Sequence, residues 1–81
     1  MMPEEVLFKT EERQTRAAIA DALSTAAEEI KSGSVHLESA SEDRDVAIPE
    51  EPRFEVELER LTDSETGEQR YELEYEIRWT K

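Results

Sequence analysis

Tyr71-Glu-Leu-Glu-Tyr-Glu-Ile-Arg-Trp-Thr-Lys81 alternates without a break. Tyr71, Leu73, Tyr75, Ile77 and Trp79 fall on one side of an extended chain, and Glu72, Glu74, Glu76, Arg78 and Thr80 on the other. Side chains of a β-strand point alternately to opposite faces, so this stretch is a strand with one apolar and one wet face. Immediately upstream, Arg53 to Leu61 repeats the pattern, with Phe54, Val56 and Leu58 inward and Glu55, Glu57 and Glu59 outward.

The two strands can be aligned through the loop between them. Gly67 is the residue there that enters the left-handed backbone region freely. A four-residue loop, Ser64-Glu-Thr-Gly67, places Asp63 opposite Glu68. Leu58 then faces Leu73, Val56 faces Tyr75 and Phe54 faces Ile77. The opposite face pairs Glu59 with Glu72, Glu57 with Glu74 and Glu55 with Glu76. Like charges directly opposite destabilise a sheet. Salt relieves this, because the Debye length falls to about 3 Å at 1 M.

Upstream, Glu5-Val-Leu-Phe-Lys9 reads as a short strand. Thr10 reads as an N-cap for a helix from about Glu11 to Ser32, with Ile19, Leu23, Ala26 and Ile30 as its stripe. Lys31 suits the helix C-terminus and Gly33 its left-handed end. Ser34 to Glu38 reads as a strand, Ser39 to Asp43 as a polar turn, and Asp45 to Pro49 as another strand stopped by Pro49 and Pro52. The expected fold is α+β in a single domain, residues 1–81. It has two layers, one helix on a mainly antiparallel five-stranded sheet, in the order β-α-β-β-β-β.

Eighty-one residues allow one modest core. There is no cysteine to supply a disulfide or a thiolate metal site. No apolar run is long enough for a membrane span, and the first residues do not resemble a secretory signal, so a cytoplasmic location is expected. Twenty-two acidic residues against ten basic ones give a net charge of −12. Such a field repels nucleic acid and anionic lipid. It fits adaptation to molar salt, with diffuse monovalent cations around the carboxylates; a basic partner; or partial disorder. The periodic apolar residues speak against disorder, and the facing glutamates favour salt.

Glu5-Val-Leu-Phe-Lys-Thr-Glu-Glu-Arg13, the Ala-rich helix and the closing Glu-Leu-Glu-Tyr-Glu-Ile-Arg-Trp79 resemble the amphi-Trp domain. The resemblance implies a small, acidic, cytoplasmic protein of a halophilic archaeon, and no catalytic residue or cofactor.

No nucleophile constellation, paired metal-ligand spacing or phosphate-cradling loop is present, so no enzyme and no cofactor is expected. His36, by parity, lies on a solvent face near Glu38, and as a metal ligand it would need carboxylates from a neighbouring strand. Val6-Leu7-Phe8 is apolar on both faces of its expected strand, which points to an interface, and Trp79 is a candidate anchor at its rim. The expected function is a non-enzymatic protein-interaction module, self-associating or bound to a partner protein. The alternative is an acidic mimic that occupies a basic, nucleic-acid-binding surface.

Overall fold

The computed structural model describes residues 3–81 and divides into two compact units, Met1–Ile48 and Pro49–Lys81. In the first, a helix, α1 (Arg16–Ser32), is followed by strands β1 (Ser34–Glu38) and β2 (Asp43–Ala47). The second is a hairpin of β3 (Arg53–Thr62) and β4 (Gln69–Arg78). The fold is α+β, with four strands in two separate antiparallel pairs.

Residues 5–9 form no strand, so the expected five-stranded single sheet is not formed. Hydrogen bonding explains part of this. Ile48 N–H donates to the Gly33 carbonyl and Ser39 N–H to the Glu42 carbonyl, which fixes the phase of the β1–β2 ladder. The His36 N–H therefore points away from β2, and it meets Glu29 Oε2 of α1 at 3.4 Å. A helix carboxylate occupies a donor that an additional strand would need.

The helix begins later than Thr10 predicts. Thr15 is the N-cap, and its Oγ1 accepts from the Ala18 N–H at 3.1 Å. Glu11, Glu12, Arg13 and Gln14 are all polar, so a longer helix would order backbone without apolar surface to bury in return. The other end is as expected. Gly33 takes φ 97°, and its N–H reaches the carbonyls of Glu29 and Ile30. Against β1, α1 turns Ala26 and Glu29, its half-buried positions.

The first hairpin turns more tightly than expected, through Ala40 and Ser41, so β2 starts at Asp43. Val35, Leu37, Val46 and Ile48 are half-buried while their neighbours are exposed, which agrees with the expected parity.

The β3–β4 register matches the sequence pairing throughout: Phe54 with Ile77, Val56 with Tyr75, Leu58 with Leu73, and the three glutamate pairs behind them. Asp63 Oδ1 accepts from the N–H groups of Glu65 (2.8 Å) and Thr66 (3.2 Å), and Gly67 closes the loop at φ 75°. The Asp63 N–H donates to the Glu68 carbonyl, so Asp63 and Glu68 are a hydrogen-bonded pair. The glutamate pairs share that phase and sit at the wider spacing of about 5.5 Å, and the apolar pairs take the closer one of about 4.5 Å. The Phe54 and Tyr75 rings stack 6.2 Å apart.

One expectation fails across the chain. Among the described residues none is buried, so neither unit encloses a core of its own.

Candidate functional site

Two features stand out, one in each unit. The first is built on the β1–β2 hairpin. His36 and Glu38 are two residues apart and share a face of β1. The tight turn sets Asp45 directly opposite His36, and Asp43 opposite Glu38. Asp45 Oδ1 lies 2.7 Å from His36 Nδ1, while Glu38 Oε2 and Asp43 Oδ1 lie 3.6 Å and 3.7 Å from Nε2. The hydrogen bond to Asp45, helped by the charges of Asp45, Asp43 and Glu38, raises the His36 pKa above its ordinary 6.5.

His36, Glu38 and Asp43 bring ligand atoms within 4.8 Å of one another. Neutral imidazole with Asp45 on Nδ1 could offer Nε2 to a divalent cation, with two carboxylate oxygens beside it. The same carboxylates favour the imidazolium, so a proton competes for Nε2 at neutral pH. The sequence reading placed His36 near Glu38 but missed Asp43 and Asp45. The usable signal was the symmetric spacing of His36, Glu38, Asp43 and Asp45 about Ala40–Ser41.

The second feature is the β3–β4 ribbon, which has one mainly apolar and one mainly charged face. One carries Phe54, Val56, Leu58, Tyr71, Leu73, Tyr75 and Ile77. The other carries the six-glutamate ladder. Arg78 bridges one end, with Nη2 2.9 Å from Glu55 Oε1 and Nε 3.4 Å from Glu76 Oε1. Glu57 is paired with Glu74, and the charges of Glu59, Glu55 and Glu74 raise its pKa above the ordinary 4.5. At the turn, the N–H groups of Glu65 and Thr66 hold the Asp63 carboxyl below its ordinary 3.8.

The residues expected at an interface divide between the units. Val6 and Leu7 are exposed and Phe8 is half-buried, all before α1 in the first unit. Trp79 lies in the second, just past the end of β4, and is 41% exposed. With the strand at residues 5–9 gone, pairing along its edge loses its basis; the exposed Val6 and Leu7 remain.

The family model of the Amphi-Trp domain matches residues 2–81. The chain belongs to the Amphi-Trp domain family. No curated protein and no solved structure matches it. The alternating segment that ends at Trp79 in this Amphi-Trp chain is β4 and the residue after it. No described helix is long and apolar enough to cross a membrane.

Proposed function

We propose that this Amphi-Trp chain is a small non-enzymatic interaction module of a high-salt cytoplasm, in a halophilic archaeal setting, and that it self-associates. The observation that carries this is the apolar face of β3–β4, which nothing within its own unit covers, in a chain whose described residues include none that is buried. Exposed apolar surface of that extent marks an interaction site in a soluble protein. The glutamate ladder supports the high-salt setting, because screening removes the repulsion that the register imposes. Val6, Leu7, Phe8 and Trp79 are further candidate contacts, Val6 and Leu7 by exposure and Trp79 by residue type.

The ladder also supports a second function, an acidic mimic that binds a basic, nucleic-acid-binding surface of a partner protein. Salt separates the two. An apolar association holds or strengthens as salt rises, whereas binding through the ladder weakens steeply. Sedimentation at 0.1 and 2 M potassium chloride is the test. A monomer at both salt concentrations, up to the highest attainable protein concentration, removes self-association.

A further inference from the structure

We infer that two copies of this chain associate through the apolar faces of their β3–β4 hairpins, packed face to face about a two-fold axis. This names the surface and the partner for the self-association proposed above, and it rests on that proposal.

The first support is area. Phe54, Val56, Leu58, Tyr71, Leu73 and Tyr75 are each between 54% and 70% exposed. Three are aromatic, and such side chains bury about 150–250 Å² each. With the three aliphatic residues, the uncovered surface approaches the roughly 800 Å² that each partner gives to a stable complex of standard size. A two-stranded ribbon is at best marginal in water, and packing against a second sheet is one of the ways it becomes stable.

The second support is charge, which selects the occupant. Every carboxylate of β3 and β4 lies on the ladder face, and the apolar face carries Arg60, opposite Tyr71, as its one charged position. A basic partner would be drawn to the ladder. A second copy of a chain with net charge −12 can approach closely only where carboxylates are missing. Face-to-face packing puts the two sheets about 10 Å apart with both ladders outermost. The ladders are then separated by more than the Debye length of about 8 Å at physiological ionic strength. The same patch on both copies is the self-complementary arrangement that a two-fold dimer requires.

The absence of cysteine allows a footprint. A thiol is introduced by Leu73→Cys on the apolar face, by Leu58→Cys on the paired strand, and by Glu74→Cys on the ladder. Each full-length variant is alkylated with a maleimide in 2 M potassium chloride over a range of protein concentrations, with sedimentation run in parallel. The expected result is a dimer whose Leu73→Cys and Leu58→Cys thiols react at least tenfold more slowly at high concentration than at low, while the Glu74→Cys thiol does not change. If the protein dimerises but all three thiols react alike, another surface mediates association and this inference fails while the proposed function stands. Protection already complete in the dilute monomer also overturns it. A chain that stays monomeric removes both.

Discussion

The two hairpins of this chain manage charge and cover in opposite ways. β1–β2 is short, lies beside α1, and gathers three carboxylates around the cation-forming ring of His36. β3–β4 is twice as long, has no second layer within its own unit, and sets glutamate against glutamate with Arg78 bridging one end of the ladder. Pairing register and burial are therefore separate problems. A hairpin can be specified to the residue by its turn and its alternation and still lack the second layer that would make it stable.

Salt should have the largest effect, and on the second hairpin above all. The melting midpoint should rise by on the order of 10 °C between 0.1 and 2 M salt, a large shift for a domain of this size. Glu57→Gln should reduce that rise by removing the carboxylate at the centre of the ladder. Circular dichroism melts of both proteins would check this, and equal midpoints at the two salt concentrations would remove the ladder as a source of instability.

The two glycines compare the C-terminal end of α1 with the β3–β4 loop through backbone strain alone. A Cβ at Gly33 or Gly67 would meet nothing within 4 Å, so any penalty comes from positive φ. Each change to L-alanine should cost about 1–2 kcal/mol in denaturant titrations. D-alanine, introduced by synthesis, should restore the loss at both sites. If it fails at one, that turn relies on something other than its handedness.

The start of the helix offers a smaller test. Thr15→Ala should cost about 1 kcal/mol through loss of the cap to Ala18, and Thr10→Ala should leave stability and helix content unchanged. The reverse result would restore the longer helix that the sequence suggests.

Acid should shift the two hairpins least, through different groups. His36 has a raised folded pKa, so its contribution is full below 6.5 and is lost as pH rises through the folded value. Glu57 is also raised, so its repulsion is full above its folded pKa and disappears below 4.5. Asp63 is lowered, so the support it gives the turn is present above 3.8 and is lost as pH falls through its folded value. Stability should therefore peak on the acid side of neutrality. His36→Asn should flatten the alkaline limb, and Glu57→Gln should flatten the change near pH 4.5. An unaltered pH profile in either variant would show that the corresponding group does not titrate with folding.

The second hairpin was legible because everything that fixes its register is local: strict alternation, one glycine and a loop of standard length. The first hairpin and the helix start were legible only in part. Val35, Leu37 and Val46 reveal the strands, but the two-residue turn that brings Asp43 and Asp45 to His36 contains no glycine to mark it. Thr10 reads as the cap, whereas Thr15 is the cap, because the four polar residues between the two gain too little by ordering. Val6-Leu7-Phe8 looks like a strand by local propensity, but a strand is made by its pairing, and residues 5–9 pair with none of the four strands.

The loop between β3 and β4 bears on the order of folding. Its hydrogen bonds lie wholly within Asp63 to Glu68, so it can close before any distant residue arrives. Zipping away from that closed loop would pass Glu59–Glu72 and Glu57–Glu74 before Arg78 could fasten the far end. Repulsion builds during this middle stage, after nucleation and ahead of the final clamp. Added salt should thus quicken the advance of the zipper and leave the first loop closure almost untouched.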